Sequence, residues 1–379
     1  MVVETQWIDN PEQLRAFCDG FEGEAIAVDT ESNHFHAYQA RVCLIQVATE
    51  TELALIDPLS LDATDLAPLF EIFEDPGPTK VLHAARNDII ELDRDYGIDV
   101  ANLFDTQIAA RFLDYERNSL SWMLEELIGV EGAGQFQRFD WTRRPLPDKV
   151  RRYAAEDVRH LLALKDRFGS ELQQVGWDRA FEQQCAYVAR SATFEPTEFD
   201  PEGWRKFKGV DKLDGRGRAA LRSLYLWRHE LCSRLNRAPV TLFKKSAMMH
   251  LARTRPTRAS ELADLRGVAD LLIDEYADDI AATIERSLAE EIPPRSLPRE
   301  RPKPPPPAEK ALYDALRKWR NDTAGELAIP TSFVATNATL AEVAKDPPET
   351  VAQLGEFDAV LDWHLETFGD EILEIVRGS

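Results

Sequence analysis

Two acidic residues, Asp29 and Glu31, close the first apolar run of the chain in the sequence AVDTE. The run predicts a buried strand, and side chains two residues apart on a strand point to the same face. Two carboxylates aimed together repel each other, so a divalent cation is a natural partner. Taken alone, the pair also fits a simpler role in which one acid caps the following turn.

Two further elements carry acids at comparable positions. Tyr153 and Asp157 are four residues apart in YAAED, within an amphipathic pattern that predicts one helix over residues 148–168, so they share a helix face. Asp88 lies five residues after His83, which is near the end of the predicted strand KVLHA. Singly, these residues fit a half-buried tyrosine beside a surface acid, and an acid favoured at a helix N-terminus.

The four carboxylates together predict a more specific chemistry. Hard oxygen ligands from separate elements suit Mg²⁺ or Mn²⁺. Four carboxylates can hold two such ions, and two-metal sites stabilise both the attacking and the leaving oxygen in displacement at phosphorus. The pattern therefore indicates phosphodiester hydrolysis.

The elements that must position these residues belong to an α/β region of about 190 residues. Short apolar runs predict strands over 24–29, 42–48, 52–57 and 80–84, with a hairpin turn at 49–51. From about residue 200 no strand pattern remains. Residues 213–290 and 308–379 read as helical, and residues 293–307, with 8 prolines, read as a semi-rigid linker.

The two helical segments look like a diverged repeat. Trp227-Arg228 matches Trp319-Arg320, and Ala238-Pro239 matches Ile329-Pro330. The match is loose, and coincidence is the alternative.

Basic residues are concentrated although the net charge is −22. Residues 205–258 hold 15 Lys or Arg and 3 acids, which favours nucleic-acid binding there over a merely solvated surface. A second cluster leads into Tyr153. The residues expected to contact phosphates are Arg143, Arg144, Lys149, Arg152, Lys244 and Lys245.

The remaining composition indicates a cytoplasmic protein. The 4 cysteines show neither zinc-type nor redox-type spacing and suggest no disulfide framework. The N-terminal residues do not resemble a signal peptide, and we expect no membrane association.

The motifs DTE, HxxxxD and YxxxD, in this order, resemble the DEDDy group of 3′→5′ exonucleases. The stretches VCLIQVAT, LFDTQIAARFL, SLSWMLEELIGV and WTRRPLPDKVRRYAAEDVRHL are similar to the ribonuclease D family, and the helical repeats resemble HRDC domains. The resemblance covers nearly the whole chain. It implies the α/β fold class: an RNase H-like (DnaQ-like) mixed-sheet exonuclease domain followed by two small all-α HRDC-like domains.

The resemblance also implies boundaries and roles. The exonuclease domain would span 1–195, the HRDC-like domains 205–290 and 308–379, and the linker 293–307. Metal ligation is assigned to Asp29, Glu31, Asp88 and Asp157, and orientation or activation of water to Tyr153. The cofactor would be two Mg²⁺ or Mn²⁺ ions. Residues 32–40 depart from the family, which is usually more basic there, near the substrate's 3′ end.

The implied activity is stepwise release of 5′-mononucleotides from RNA with a single-stranded 3′ end, such as tRNA precursors, by a monomer. One alternative is a DNA exonuclease of the same group, because the catalytic set is shared. The other is a nucleic-acid-binding scaffold without activity. Retention of all four acids and Tyr153 argues against the scaffold.

Overall fold

The computed structural model describes residues 4–130, 136–262, 267–295 and 304–378. The chain forms two compact units, one of residues 1–32, 42–194 and 303–379, the other of residues 33–41 and 195–302. The units therefore do not follow the order of the chain. Most of the proline-rich linker, residues 296–303, lies outside the described residues, and helix begins at Pro307, its last predicted position. Within the described ranges no helix combines the length and apolar character that a membrane span requires.

The first unit is built on a six-stranded mixed sheet in the order β1-β4-β3-β2-β5-β6. The strands are β1 (Thr5–Ile8), β2 (Ala25–Ser32), β3 (Val42–Ala48), β4 (Leu53–Ile56), β5 (Thr79–Leu82) and β6 (Leu103–Asp105). β3 pairs antiparallel with both β2 and β4, so the predicted hairpin is confirmed. The β1–β4, β2–β5 and β5–β6 pairs are parallel. β3 and β4 are buried throughout, as their continuous apolar sequences require.

Helices cover this sheet. They are α1 (Pro11–Asp19), α2 (Ala63–Glu74), α3 (Arg86–Tyr96), α4 (Thr106–Phe112), α5 (Leu120–Met123), α6 (Asp148–Arg159), α7 (Leu161–Val175) and α8 (Asp178–Ser191). The prediction of a single helix over 148–168 was wrong, because His160 (φ −113°, ψ 2°) separates α6 from α7. The break lets the two segments pack differently: α6 lies on β2, β3 and β4, whereas α7 reaches β5 and α4.

The C-terminal repeat belongs to this same unit. Its helices are α13 (Pro307–Leu327), α14 (Thr331–Val334), α15 (Asn337–Lys345), α16 (Val351–Leu354) and α17 (Asp362–Gly378). Helices α9 to α12 precede them in the chain and belong to the second unit. Phe333 stacks on Phe112 of α4, with ring centroids 4.5 Å apart. Trp363 meets Trp177 edge-on at 6.0 Å. The repeat is therefore packed against the helices of the sheet domain.

The second unit contains α9 (Gly215–Leu235), α10 (Pro239–Leu242), α11 (Lys245–Thr254) and α12 (Asp270–Ser287). Residues 33–41, which follow β2 in the chain, belong to this unit. The Tyr38 hydroxyl lies 2.5 Å from Nδ1 of His229, and the Gln39 amide donates to Oδ1 of Asn236 at 2.7 Å. The segment that departs from the family pattern thus packs with the first helical repeat.

A shared buried arginine relates the two helical repeats. Arg228 donates from Nη1 to the carbonyl oxygen of Phe243 at 3.0 Å, and Arg320 donates from Nη1 to that of Ala335 at 3.3 Å. Each carbonyl belongs to the residue that ends a short helix, α10 or α14. The predicted Trp-Arg match therefore corresponds to equivalent positions in space.

Candidate active site

Asp29 and Glu31 project from the middle of the sheet, on β2. They pair across the antiparallel ladder with Gln46 and Leu44 of β3, and the register shifts directly after Glu31. The alternation of the strand places both carboxylates on one face. Nε2 of the fully buried Gln46 donates to Oδ2 of Asp29 at 3.4 Å. Val28 and Ser32, on either side of this segment, are buried, whereas Asp29 and Glu31 are partly exposed, so both carboxylates lie at the edge of the core.

Helix α6 brings Tyr153 and Asp157 to the same place. The helix lies on β2, β3 and β4, and the four-residue spacing directs both side chains to the strand face that carries the acids. Carboxylate oxygens of Asp29, Glu31 and Asp157 all lie within 4.8 Å of one another. The Tyr153 hydroxyl donates a hydrogen bond to Asp157.

Asp88 approaches from the first turn of α3. Its Oδ1 accepts hydrogen bonds from the Thr30 hydroxyl at 2.6 Å and from the Thr30 amide at 3.2 Å. Asp88 is not part of the group of three whose oxygens lie within 4.8 Å. The threonine between Asp29 and Glu31 therefore ties the fourth carboxylate to the strand that carries the first two.

The site concentrates negative charge in a poorly solvated place. Burial, followed by the charges of Asp88, Asp157 and Glu31, holds the pKa of Asp29 well above its usual range. Burial, Asp157 and Asp88 raise the pKa of Glu31 to about 9. Burial raises the pKa of Asp88 and of Asp157 to about 7, although hydrogen bonds from Thr30 and Tyr153 oppose the shift.

These carboxylates fit a divalent cation. They supply only hard oxygen donors, and three of them already lie at mutual distances that one ion can bridge. Burial and, after it, repulsion between neighbouring carboxylates raise the pKa values of Asp29 and Glu31, and bound positive charge would offset both effects. The arrangement thus has the composition and the electrostatics of a site for Mg²⁺ or Mn²⁺.

The carboxylates open into a cleft of about 640 Å³. Its wall also contains polar side chains that the sequence patterns did not single out for a role there: Gln107, Ser119, Ser121 and Gln137. His83 lines the cleft and bonds through Nδ1 to the Thr106 hydroxyl at 3.0 Å, and its burial lowers its pKa. Gln46, which supports Asp29, could have been noticed in the sequence, because it is the one polar residue in the apolar strand VCLIQVA.

Comparison with known proteins places this geometry in a family. A 3′-5′ exonuclease family model matches residues 5–173, and an HRDC domain model matches residues 218–284 and 309–376. Ribonuclease D from Desulfotalea psychrophila is 30% identical over 267 residues, which cover 70% of each chain. The chain belongs to the ribonuclease D family.

Two further relatives give the extent of the likeness. The structure of Escherichia coli RNase D, described as an exoribonuclease involved in structured RNA processing, matches with a TM-score of 0.63 and 26% identity, over 99% of both chains. Protein RRP6-like 2 from Arabidopsis thaliana is 31% identical over 70% of this chain. The chain spans only 32% of the length of that plant relative. Its sheet domain is the DnaQ-like exonuclease domain of the ribonuclease D family, and its two helical repeats are HRDC domains.

The basic residues expected to hold RNA in this ribonuclease D family member are divided between the two units. Arg143 lies before α6, and 70% of its side chain is exposed. Lys149 and Arg152 are exposed in the first turns of α6, the helix that carries Tyr153. Lys244 and Lys245 are exposed at the start of α11 in the second unit. These five side chains are open to solvent.

Arg144 differs from the expectation of a phosphate contact. Its guanidinium donates to both oxygens of Asp57 at 2.6 Å and to the Cys43 carbonyl oxygen at 2.7 Å. Asp57 is 2% exposed, so Arg144 neutralises a buried carboxylate rather than offering its charge to a ligand. The sequence could not reveal this, because the partners lie 87 residues apart.

The raised carboxyl pKa values predict how stability depends on pH without metal. Between the ordinary carboxyl pKa near 4 and the raised values of about 7 to 9, the folded protein retains protons that the unfolded chain has lost. Its stability must therefore fall as pH rises through this window. In EDTA, we expect the Tm to fall by several degrees between pH 5 and pH 8, and added Mn²⁺ to reverse part of the fall.

Glu31→Gln isolates this contribution from the general charge of the chain. The variant removes a carboxyl group whose pKa is raised to about 9 by burial and then by Asp157 and Asp88, so its Tm in EDTA should depend less on pH than that of the wild type. Asp166→Asn, which changes a carboxylate whose side chain is 77% exposed, serves as the control. Parallel pH profiles for wild type and Glu31→Gln would refute the electrostatic account.

Proposed function

We propose that the chain is a metal-dependent 3′→5′ exoribonuclease that releases 5′-mononucleotides from single-stranded RNA tails, with precursors of tRNA as the substrate class. The observation that carries the proposal is the convergence of Asp29, Glu31 and Asp157 within 4.8 Å, with Asp88 bonded to Thr30 beside them. Family membership supplies the reaction direction and the RNA substrate.

The carboxylates Asp29, Glu31, Asp88 and Asp157 would hold the cofactor, a pair of Mg²⁺ or Mn²⁺ ions. Bound there, such ions supply Lewis acidity for the attacking water and the leaving 3′ oxygen. Tyr153 has a pKa raised by burial and then by Asp157, Glu31 and Asp29. Its hydroxyl stays protonated near neutral pH, so we assign it to orienting the water by hydrogen bonding rather than to taking its proton.

We propose that the terminal nucleotide of the RNA binds in the cleft, against its polar wall. Gln107, Ser119 and Gln137 offer amide and hydroxyl groups of the kind that bind sugar and base edges. Arg143, Lys149 and Arg152, in the same domain, are proposed to hold phosphates upstream. We propose the domain division 1–195, 205–290 and 308–379, a monomeric enzyme and a cytoplasmic location as parts of the same account.

Rates on matched oligomers test the substrate class. An RNA and a DNA of the same sequence, each with a free 3′ hydroxyl, would be digested with Mg²⁺, with Mn²⁺ and with EDTA. We expect metal-dependent shortening of the RNA at a rate at least about tenfold that of the DNA. Preferential shortening of DNA would favour a DNA exonuclease. Shortening of neither substrate with either metal would favour a binding scaffold.

The basic segment 205–258 should control the salt dependence of RNA binding. Several of its arginines have internal partners, such as Arg228 with the Phe243 carbonyl and Arg255 with Asp214 at 2.7 Å. Other basic residues of the segment are exposed, among them Lys208, Lys212, Arg237, Lys244 and Lys245. If four to six of the exposed residues touch phosphate, log affinity should fall with log salt by about 3 to 4, at ~0.7 per contact.

Charge reversal measures the share of two of these residues. Lys244→Glu with Lys245→Glu should reduce the slope by about 1.4, because two contacts at ~0.7 each are lost. Lys310→Glu with Lys318→Glu is the matched control, since these lysines are exposed and already paired with Asp314 and Asp322. Dissociation constants from 50 to 300 mM salt provide the slopes. Equal slopes for the two double variants would remove Lys244 and Lys245 from the RNA interface.

A further inference from the structure

The connection between β5 and α3 determines where Asp88 lies. It passes through Ala84, a non-glycine residue with φ 58°, in the left-handed region that residues other than glycine rarely adopt. Helix α3 then begins without a side-chain cap, because its N-cap residue is Ala85. Asp88 follows three residues later. The turn therefore lacks the local devices that usually hold a helix start in place.

A side chain from the neighbouring strand holds this turn instead. Asp105 ends β6, in register with Leu82 at the end of β5, and is 2% exposed. Its Oδ1 accepts from the Ala84 amide at 3.0 Å, and its Oδ2 from the Ala85 amide at 2.9 Å. The carbonyl oxygen of Ala85 in turn accepts from the Ile89 amide, the first helical bond of α3. One carboxylate thus bonds both residues that lead into the helix.

Asp105 also caps the next helix. Oδ1 accepts from the amides of Gln107 at 2.8 Å and Ile108 at 3.3 Å, at the start of α4. Four amides converging on two carboxylate oxygens form a charge-assisted network, which is stronger than its neutral counterpart. An asparagine has a single acceptor oxygen, so it would leave at least one amide facing an NH₂ group.

We infer that Asp105 is a positioning residue for the metal site: it orients the start of α3 so that Asp88 reaches Thr30 and the other carboxylates. The inference rests on the proposed function, because it takes Asp88 as a metal ligand. It adds to that function a residue that touches neither substrate nor metal. The carboxylate of Asp105 acts through the turn at Ala84 and Ala85.

Mn²⁺ binding to the purified full-length protein, followed by electron paramagnetic resonance of free Mn²⁺, tests the inference. We expect Asp105→Asn to bind Mn²⁺ about tenfold more weakly than the wild type, a typical loss when a partner behind a metal ligand is removed. Asp62→Asn is the matched control. Asp62 caps α2 in the same way, accepting from the amides of Thr64 and Asp65, but α2 carries none of the four carboxylates. Its Mn²⁺ affinity should stay at the wild-type value.

A second variant gives a readout that a purely structural role would not move. Ala84→Gly relieves the left-handed conformation, since glycine adopts it without steric cost. Added to Asp105→Asn, it should recover part of the lost Mn²⁺ affinity. Wild-type affinity in Asp105→Asn would overturn the inference alone, whereas a wild-type protein that binds no Mn²⁺ would overturn the proposed function with it. If Asp105→Asn does not fold by circular dichroism, the double variant decides. Failure of both to fold, while Asp62→Asn folds, would make Asp105 a residue of the core only.

Discussion

Asp29→Asn or Asp157→Asn should lower the rate of RNA cleavage by at least about a hundredfold while the protein stays folded. A hundredfold corresponds to about 3 kcal/mol of lost transition-state stabilisation. The expectation follows from the geometry, because each substitution removes a charged oxygen from the group that lies within 4.8 Å. Single-turnover cleavage of a 3′-tailed RNA at saturating Mn²⁺ gives the rates.

Folding should improve rather than suffer in these variants when metal is absent. Burial is the main cause of the raised pKa values of Asp29 and Asp157, so replacing either carboxylate removes the free-energy cost of keeping its charge out of water in EDTA. A variant with a higher Tm in EDTA and a lost activity separates catalysis from stability. Asp166→Asn, which replaces an exposed carboxylate, should change neither the Tm in EDTA nor the cleavage rate. Cleavage by Asp29→Asn within a few fold of the wild-type rate would remove that carboxylate from the site.

Tyr153→Phe should slow single-turnover cleavage by roughly tenfold or more and leave the RNA dissociation constant within about twofold, as expected for loss of a group that positions the reacting water. The ring would remain packed near Phe136 and Trp141, at centroid distances of 5.4 and 6.4 Å. Only the hydroxyl that donates to Asp157 would be lost. Rates and dissociation constants should be measured on the same RNA.

Tyr115→Phe is the matched control for this change. Tyr115 also donates to a carboxylate, Oε2 of Glu171 at 2.7 Å, in the same domain. It should leave the cleavage rate unchanged. Weaker binding with an unchanged rate in Tyr153→Phe would make Tyr153 a substrate contact. Equal effects of the two variants would assign Tyr153 a structural role.

Two pairs of side chains in the candidate site could be predicted because the geometry within each pair is local. The two-residue spacing of Asp29 and Glu31 on a strand and the four-residue spacing of Tyr153 and Asp157 on a helix each define a shared face. Long-range contacts were not available from spacing. Asp57 with Arg144 and Thr30 with Asp88 join residues 87 and 58 positions apart. Their pairing depends on strand order, which periodicity does not encode.

The grouping of the elements was harder to predict for the same reason. The apolar runs of β3 and β4 and the Trp-Arg repeat were visible in the sequence. In contrast, β1 (TQWI) is only half apolar and β6 has only 3 residues, so neither forms a recognisable apolar run. Residues 33–41 pack with the first HRDC repeat, and the second repeat packs beside Phe112 and Trp177. Such packing depends on surface complementarity between distant segments.

Digestion of one 5′-labelled RNA with a single-stranded 3′ tail tests the central claim most directly. The RNA would be incubated with wild-type protein and Mn²⁺, with wild-type protein and EDTA, and with Asp29→Asn and Mn²⁺, and then resolved on a denaturing gel. The site described by Asp29, Glu31, Asp88 and Asp157 predicts a ladder that shortens one nucleotide at a time in the first reaction, and intact RNA in the other two. Shortening in EDTA, internal fragments instead of a ladder, or wild-type digestion by Asp29→Asn would contradict it.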